Sequence, residues 1–264
     1  GHSGGESETV IGNWLRRDPA KRAKVQIASK VGFLDGKIED GEYVASLDPK
    51  VIARATNASL KRMGIETIDL YYQHRDNSEV PLADSLGAFE RLREAGKIGA
   101  TGLSNFEPAR VEAALDTAAQ AGIAPAVAVQ GWYNLLERDK YEGALQDVVN
   151  ARGLGFFSFY SLANGFLSGK YRSPDDLAKS VRGLRNIAYV ESDKGKAVLA
   201  ALDDVAAQTG AAVASVALAW TKVQPGIAAP IASATSAEQL EELIAGMRLD
   251  LSTAQIDQLS AASG

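Results

Sequence analysis

The amino-acid sequence predicts an α/β protein whose parallel β-sheet closes as a (β/α)8 barrel, and three observations lead to this fold class. Short apolar runs rich in β-branched residues alternate with amphipathic stretches, which is the pattern of repeated β-α-β units. The runs are apolar along their whole length, as in strands that are covered on both faces. Each run also ends in polar residues, and barrel enzymes place their active sites at that end of the strands.

The predicted elements follow one another regularly along the chain. The clearest helix is Pro49–Met63, where Asp48 is the expected N-cap and the apolar residues are spaced three and four apart. The other predicted helices are Ser7–Arg17, Pro81–Ala95, Pro108–Ala121 and Arg138–Ala151. The predicted strands are Val25–Val31, Ile68–Gln73, Ile98–Leu103, Val127–Gln130, Phe156–Phe159 and Ile227–Ile231.

The competing prediction for this alternating pattern is a doubly wound sheet that binds a dinucleotide. It would carry G-x-G-x-x-G between a strand and a helix. The nearest match, Gly153–Ser158, lacks the third glycine and precedes a strand. The segment Gly165–Lys170 is one residue short of a phosphate-binding loop. The sequence therefore favours the barrel.

The polar residues at the strand ends are the candidate site. Because the carboxyl ends of parallel strands meet at one edge of a sheet, we expect these side chains to converge. They are Lys30 after the first strand, Gln73 and His74 after the second, Ser104 and Asn105 after the third, Gln130 after the fourth, Tyr160 and Ser161 after the fifth, and Ser233–Ser236 after the sixth.

The number of strands differs from that of the predicted fold. A (β/α)8 barrel has eight strands, whereas six can be recognised in the sequence. The chain begins without methionine, and Gly1–Glu8 has the composition of a loop at the catalytic rim. We therefore expect residues 1–264 to form a single barrel domain that is N-terminally incomplete, with two βα units preceding Gly1. The strands Val25–Val31 and Ile227–Ile231, apolar throughout, should then be buried between neighbours.

Composition and charge narrow the possible partners. The formal net charge is -5 and there is no Lys/Arg block, which disfavours nucleic acid and anionic membrane surfaces. The chain has no cysteine and two histidines, His2 and His74, so neither a disulfide framework nor a metal site is predicted. No run has membrane-spanning length, and no signal-peptide pattern is present. We expect a cytoplasmic protein that is a monomer or a weak homo-oligomer.

Five sequence blocks, in order across essentially the whole chain, resemble the aldo-keto reductases. This resemblance implies a (β/α)8 barrel that binds NADP(H) and reduces small-molecule carbonyl compounds. The blocks are Ile68–Asp76 (IDLYYQHRD), Gly96–Phe106 (GKIGATGLSNF), Val129–Arg138 (VQGWYNLLER), Tyr160–Arg172 (YSLANGFLSGKYR) and Pro230–Leu240 (PIASATSAEQL).

The resemblance implies a catalytic set of aspartate, tyrosine, lysine and histidine. Lys30, in IASKVG, matches the lysine, and His74, in YYQHRDN, matches the histidine. The aspartate and tyrosine belong to a D-T-A-x-x-Y segment before a G-x-S-E loop, which Gly5–Glu8 resembles, so both are expected upstream of Gly1. Lys30 would be the cation that lowers the pKa of the tyrosine, and His74 would donate a hydrogen bond to the substrate carbonyl.

The resemblance also implies which residues bind the cofactor. Ser104, Asn105 and Gln130 would hold the nicotinamide carboxamide. Phe159 would stack on the nicotinamide ring, where the family more often has tyrosine, and Tyr160 follows it. The loop expected along the pyrophosphate contains Ser161, Leu162, Gly165, Leu167 and Gly169. The residues expected around the adenosine and its 2′-phosphate are Lys170, Arg182, Ser233, Thr235, Gln239 and Glu242.

Structural roles are the alternatives for several of these residues. For His74 the alternative is a core histidine bound to a carboxylate such as Asp76, and for Lys30 a surface lysine with a buried stem. The segment Ser236-x-x-Gln239 is also a capping box, which Ser252-x-x-Gln255 repeats. Trp132 is either packing or a residue at the barrel mouth.

Two functions follow from these observations. The first is an NADP(H)-dependent reductase of small aldehydes and ketones. The second is a nucleotide-binding barrel with little turnover that acts as a regulatory or redox-sensing subunit. His74 favours the enzyme, because non-catalytic members of the resembled family often lose this histidine.

Overall fold

The computed structural model describes the backbone of residues 4–39 and 42–264, and side chains outside 34–43. His2 and the start of the predicted N-terminal loop lie outside the described residues. The chain forms two compact units, Gly1–Val129 (unit 1) and Gln130–Gly264 (unit 2).

Unit 1 alternates helices and strands, as the sequence predicts. A short 3-10 helix, Pro19–Lys24, follows its first α-helix. In chain order the elements are α1 (Glu6–Arg17), β1 (Ala28–Val31), β2 (Phe33–Glu39), β3 (Glu42–Ala45), α2 (Pro49–Met63), β4 (Ile68–Gln73), α3 (Leu82–Glu94), β5 (Ile98–Ser104), α4 (Pro108–Ala121) and β6 (Ala128–Trp132), whose last three residues belong to unit 2.

The strands of unit 1 form a parallel sheet. β1 pairs with β4, and β4 pairs with β5. The amide of Val127 donates to the carbonyl of Thr101 at 2.9 Å, just before β6 begins. β1 starts three residues later than predicted, because the amide of Ile27 donates to the Asp69 carboxylate at 2.7 Å instead of to a neighbouring backbone carbonyl.

The helix α2 has the predicted limits, and its ends explain why. The Asp48 carboxylate accepts from the amide of Lys50 at 2.7 Å, and Gly64 ends the helix with φ 67°. The helix α1 begins at Glu6, with Gly5 before it at φ 93°. The predicted helix Ser7–Arg17 is therefore confirmed to within one residue, whereas the predicted loop Gly1–Glu8 overlaps the first helical turn, Glu6–Glu8.

The antiparallel hairpin of β2 and β3 was not predicted. Phe33 pairs with Ala45, and Ile38 pairs with Tyr43, with a register shift between them. Charged residues and a glycine interrupt the apolar pattern of this segment, so the period-two signal of a strand is weak there. The hairpin follows directly after the end of β1, at the rim where the site residues of unit 1 lie.

Unit 2 carries the remaining strands and most of the 3-10 helices. These short helices span Arg138–Lys140, Ala163–Ser168, Pro174–Lys179 and Gly183–Asn186. The longer elements are α5 (Ala144–Ala151), β7 (Gly155–Phe159), α6 (Ile187–Glu191), α7 (Asp193–Thr209), α8 (Val213–Lys222), β8 (Ile227–Pro230), α9 (Ala237–Arg248) and α10 (Thr253–Ala262).

The strands β7 and β8 pair in parallel, with Phe157 opposite Ala229. The predicted helix Arg138–Ala151 is broken, because Gly143 has φ 92° and the α-helix starts only after it. The expectation that Ile227–Ile231 is buried along its length is also wrong. Ala228 and Ile231 are exposed, and the other residues of β8 are half-buried.

Aromatic side chains fill the core of unit 2. Tyr133 lies 5.7 Å from Trp220 and 5.1 Å from Tyr141 between ring centroids, and Tyr141 lies 3.9 Å from Phe156. All four side chains are at most 1 % exposed. The indole N–H of Trp220 donates to Ser260 Oγ at 3.0 Å, so this buried donor is satisfied.

The helices α7 and α8 are largely buried within unit 2. Leu202 and Val205 of α7 and Val216 of α8 have no exposed surface. Among the described residues, no single helix is long and apolar enough to cross a membrane. The pair α7 and α8, bent by 97°, reaches that length and composition when both are taken together.

Candidate active site

Lys30, Tyr72 and Gly102 form one row across the sheet of unit 1. Lys30 is opposite Tyr72, and Tyr72 is opposite Gly102. Residues opposite each other in a parallel sheet point to the same face, and the next residue with that orientation lies two positions further on. A Cβ at Gly102 would overlap the Tyr72 ring, so glycine is required there. The same alternation puts Ser104 on this face at the end of β5, and His74 follows directly after the end of β4.

The backbone of His74 is held on both sides. Its amide donates to the carbonyl of Val31 at 2.7 Å, and its carbonyl accepts from Asn105 Nδ2 at 2.9 Å. The edge of the imidazole meets the Phe33 ring, with the centroids 4.9 Å apart and the planes at 73°. A Cβ at Gly32 would lie 3.0 Å from the His74 Cβ, so a larger residue at this position would shift the histidine. These contacts fix the backbone position of His74, from which a half-buried imidazole extends.

The Asp76 carboxylate, which the structural alternative for His74 invoked, forms an ion pair with Arg110. Nε and Nη2 of Arg110 donate to its two oxygens at 2.7 and 2.9 Å. This fork-to-fork arrangement is the strongest geometry for such a pair. Each carboxylate oxygen thus has a guanidinium donor.

Lys30 is partly buried in the sheet. Burial lowers the pKa of its ammonium group to about 8, because the charged form loses hydration. A buried lysine with this pKa differs from a surface lysine whose charged end reaches water. A lysine whose pKa is lowered by burial in this way is a candidate for a functional site.

Ser104 and Asn105 end β5 beside His74. Ser104 has no exposed surface, and its hydroxyl accepts from Asn105 Nδ2 at 3.1 Å. Asn105 has φ 55°, a left-handed conformation that asparagine tolerates better than most residues. The side-chain nitrogen of Asn105 already donates to the His74 carbonyl and to Ser104 Oγ. Its side-chain oxygen is therefore the atom that can accept a hydrogen bond from a ligand.

In unit 2, Gln130 and Trp132 share a face of β6. The residue between them, Gly131, faces the other way, where a Cβ would lie 2.7 Å from the Phe156 ring. Trp132 stacks at a tilt on Tyr160, with centroids 4.5 Å apart, and lies 6.2 Å from Phe159. Tyr160 has φ 55° and is 37 % exposed. Phe159 and Tyr160, which the resemblance assigns to the nicotinamide ring and its surroundings, thus both lie against Trp132.

The loop after β7 has an unusual backbone. Tyr160, Ala163, Asn164 and Gly165 all have positive φ angles, of 55°, 44°, 55° and 91°. Three of them carry side chains, so the conformation costs free energy that the surrounding contacts must offset. Strain of this kind is often found where a loop binds a ligand.

The side chains of this loop do not all face outward. The Ser161 hydroxyl donates to the carbonyl of Ser158 at 2.9 Å and is buried. Leu167 is also fully buried, whereas Leu162 is half-buried. Contacts of Ser161 and Leu167 with a ligand would therefore come from the backbone. Gly169 ends the loop at φ 78°.

Lys170 lies over this loop. A Cβ at Gly165 would be 2.9 Å from its Cε and 3.0 Å from its Nζ. The ammonium group also lies 5.0 Å from the centroid of the Tyr171 ring. A cation held against positive-φ backbone fits a phosphate group, and the resemblance assigns Lys170 to the surroundings of the adenosine and its 2′-phosphate.

The residues expected near the adenosine are exposed. They are Arg182, Ser233, Thr235, Gln239 and Glu242. Gln239 Oε1 accepts from the amide and the hydroxyl of Thr235 at 2.9 and 3.0 Å. The Ser236 hydroxyl caps α9 by accepting from the amide of Gln239 at 3.3 Å. The predicted capping box is therefore complete at Ser252 and Gln255 but only half-formed at Ser236.

Sequence reasoning missed several residues that shape the site. Gly32 and Arg110 are set by contacts distant in the chain, and neither belongs to a recognisable motif. A glycine directly after a strand end was the signal available for Gly32. Within the part of the chain that the structure describes, no group of three or more histidine and carboxylate side chains is placed to hold a metal ion.

Comparison with known families gives a match over nearly the whole chain. The model described as "Aldo/keto reductase family" matches residues 3–263. This match does not bear out the expectation that two N-terminal βα units are missing. The family fold is the (β/α)8 barrel, in agreement with the predicted fold class.

Individual relatives are similar over most of their length. The L-glyceraldehyde 3-phosphate reductase of Escherichia coli O157:H7 is 32% identical over 96% of this chain and 75% of the relative. An aldo-keto reductase named with NADP(+) from Schizosaccharomyces pombe is 29% identical over 98% and 75%. A putative voltage-gated potassium channel subunit beta of the same yeast is 31% identical over 91% and 71%. The extent of these matches and the family match together establish that the chain belongs to the aldo/keto reductase family.

Proposed function

We propose that this protein reduces small aldehydes and ketones to alcohols with NADPH, using Lys30 and His74. Membership of the aldo/keto reductase family supports the general reaction, which is hydride transfer from NADP(H) to a carbonyl carbon. The observation that supports these two residues is their position. Both lie at the carboxyl ends of neighbouring strands of unit 1, Lys30 within β1 and His74 directly after β4, where its amide donates to the carbonyl of Val31.

The chemistry assigned to each residue follows from its surroundings. Bound NADPH supplies the hydride. His74 donates a hydrogen bond to the substrate carbonyl oxygen, where negative charge develops, and its fixed backbone keeps this donor oriented. Lys30 holds a positive charge in a partly buried position, which favours release of a proton from a neighbouring acid.

The assignment of Ser104, Asn105 and Gln130 to the carboxamide of the nicotinamide stays a proposal that rests on the sequence resemblance. The Asn105 nitrogen already donates to His74 and Ser104, so its oxygen would accept from the carboxamide N–H. Phe159, supported by Tyr160 and Trp132, would pack on the nicotinamide ring. The loop from Ser161 to Gly169 would follow the pyrophosphate.

Lys170 and Arg182 are proposed to set the preference for NADPH. Both carry exposed positive charges in unit 2, and the capped start of α9, with Ser233 and Thr235 before it, suits a phosphate. Gln239 holds Thr235 in place, and Glu242 lies one turn further along α9. NADH lacks the 2′-phosphate and would lose these interactions.

The test is the ratio of kcat/KM for NADPH over NADH with one aldehyde, in the protein expressed from its full reading frame. We expect a ratio above about 10, since one charge-assisted interaction is worth about 1.5–3 kcal/mol. The variant with Lys170→Met and Arg182→Met should lower this ratio, while Lys196→Met, an exposed lysine on α7, should leave it unchanged. Equal kcat/KM for both cofactors in the unaltered protein would contradict the assignment.

One relative favours the second function, a nucleotide-binding regulatory barrel with little turnover. It is the relative named as a potassium channel beta subunit. This function predicts tight NADPH binding in a fluorescence titration together with a kcat that His74→Ala does not change. The enzyme predicts that the same substitution lowers kcat.

The domain and assembly proposals rest on the sequence. Residues 1–264 are proposed to belong to one cytoplasmic catalytic domain that is monomeric or weakly self-associating. Sedimentation velocity at several protein concentrations tests the assembly, and a single large, concentration-independent oligomer would contradict it.

A further inference from the structure

The Glu8 carboxylate links three elements of unit 1. Glu8 belongs to the first turn of α1. Its Oε1 accepts from the Ser29 hydroxyl of β1 at 2.6 Å, and its Oε2 accepts from Nε of Arg62, on α2, at 2.7 Å. Burial alone would raise the pKa of Glu8, but hydrogen bonds from the hydroxyls of Ser29 and Ser59 and from Arg62 lower it overall. The group is therefore a carboxylate at neutral pH, with a donor at each oxygen.

The close fit of α1 against α2 holds this carboxylate in place. Gly12 lies one turn after Glu8 on the same face of α1, and a Cβ at Gly12 would overlap the backbone carbonyl of Arg62. A Cβ at Gly5 would overlap the Arg62 side chain. The two glycines let the helices approach closely, and this approach sets the place of the carboxylate between α2 and β1.

Ser29 connects the carboxylate with the candidate lysine. It directly precedes Lys30 in β1, and successive side chains of a strand point to opposite faces. Ser29 faces the helices, as does the residue opposite it on β4, Tyr71, which has no exposed surface. Lys30 faces the other side, which it shares with Tyr72. Because β1 has only four residues, a side-chain contact at Ser29 restrains a large part of the strand that carries Lys30.

We propose that Glu8 is a positioning residue for the reduction: through Ser29 it fixes β1 from the helix side of the sheet, and thereby the backbone from which Lys30 extends on the other side. This inference rests on the proposed reductase function and adds a residue that acts through β1. A small displacement of Lys30 changes its distance from the acid whose proton it helps to release. Misplacing a catalytic group in this way slows the chemical step more than it weakens binding.

Three substitutions test the contact between Glu8 and Ser29. Ser29→Ala removes the hydroxyl that donates to Glu8, and Glu8→Ala removes both contacts of the carboxylate. We expect each to lower kcat about 10-fold, with much smaller changes in the KM of the aldehyde and the Kd of NADPH. Ser29→Thr keeps a hydroxyl and suits a strand, so it should retain nearly the kcat of the unaltered protein. An unchanged kcat in both alanine variants would overturn the positioning role.

Asp69→Ala is the matched control for a loss of stability. The Asp69 carboxylate also accepts from a guanidinium, that of Arg22 at 2.7 Å, and from a group next to β1, the amide of Ile27 at 2.7 Å. These contacts lie at the amino ends of β1 and β4, away from the candidate site. We expect Asp69→Ala to lower Tm as Glu8→Ala does, and to leave kcat nearly unchanged. An equal fall in kcat in the two variants would indicate a general effect of stability and overturn the specific role of Glu8.

The surroundings of Lys30 can also be followed without turnover. The protein is labelled with lysine enriched in the heavy nitrogen isotope, and the amide signal of Lys30 in the NMR spectrum is assigned by its disappearance in Lys30→Arg. We expect this signal to move in Glu8→Ala and to move much less in Asp69→Ala. An unmoved signal in Glu8→Ala overturns the proposal, whatever the activity. A moved signal in a protein that reduces no aldehyde would support the contact through Ser29 and count against the reductase function alone.

Discussion

The side-chain amide of Asn105 donates to the main-chain carbonyl of His74 across 2.9 Å. This contact joins the residues that follow two neighbouring strands, β4 and β5. It explains why Asn105 keeps a left-handed backbone at φ 55°, since the turn brings its amide back toward β4. The residue assigned to the cofactor thereby also positions the residue assigned to the carbonyl.

Asn105→Asp should uncouple these two residues. Aspartate also tolerates positive φ, but its carboxylate would face the His74 carbonyl without a donor. We expect kcat to fall about 10- to 100-fold, the range for misplaced catalytic groups, and the Kd of NADPH to rise. Asn57→Asp is the control, because Asn57 accepts from Lys97 Nζ through its oxygen and would keep that contact. Unchanged kcat in Asn105→Asp would exclude the coupling.

His74→Ala should lower kcat by about 10²-fold or more, as expected for loss of a donor to a developing oxyanion. NADPH binding, measured by fluorescence titration, should be almost unchanged. If cofactor affinity collapsed together with kcat, His74 would have a structural role instead.

Gly32→Ala tests the close approach of the backbone to His74. The added Cβ would lie 3.0 Å from the His74 Cβ and 3.2 Å from its backbone nitrogen, so the histidine must move by a few tenths of an ångström. We expect kcat to fall about 10-fold with little change in the Kd of NADPH. Gly87→Ala, within α3, is the matched control, since its Cβ would meet only the end of the Arg91 side chain at 3.4 Å. Equal effects of the two substitutions on kcat would contradict the positioning role of Gly32.

The burial of Lys30 predicts a pH-dependent stability. Its pKa of about 8 lies below the ordinary value of 10.5, so between these values the unfolded chain binds more protons than the native one. The free energy of unfolding therefore rises with pH across this window. Below pH 8 the buried charge destabilises the fold, by on the order of 3 kcal/mol.

Lys30→Met removes this cost. The variant should be more stable than the unaltered protein at pH 7, and the difference should shrink as pH rises toward 10.5. Urea denaturation at pH 7, 8.5 and 10 measures it, with Lys61→Met, an exposed lysine of α2, as control. The same variant should lose most of its reductase activity. A stability difference that does not depend on pH would show that Lys30 is not desolvated.

The sequence alone predicts those elements whose ends carry local signals. The helices Pro49–Met63 and Pro108–Ala121 have their predicted limits because proline begins each and a left-handed glycine ends each. The strand Ile68–Gln73 is also correct, since its hydrophobic run is bounded on both sides. The break at Gly143 was missed because a glycine with positive φ interrupts the predicted helix. The hairpin after β1 was missed because charged residues and a glycine interrupt its apolar pattern.

The candidate site was predictable as a set of residue types at strand ends. Its internal contacts were not, since Asn105 lies 31 positions from His74 and Arg110 lies 34 positions from Asp76. The contact of Glu8 with Ser29 spans 21 positions and likewise cannot be read from the sequence.

The proposed carbonyl reductase activity is tested most directly by tracing deuterium from the cofactor to the product. The protein expressed from its full reading frame is incubated with glyceraldehyde and NADPH that carries deuterium at the transferred position of the nicotinamide. Mass spectrometry of the alcohol should find one deuterium on the former carbonyl carbon, with about 10²-fold slower formation in His74→Ala. Alcohol without deuterium, or no alcohol despite saturating NADPH binding, would contradict the proposal that this protein is a carbonyl reductase.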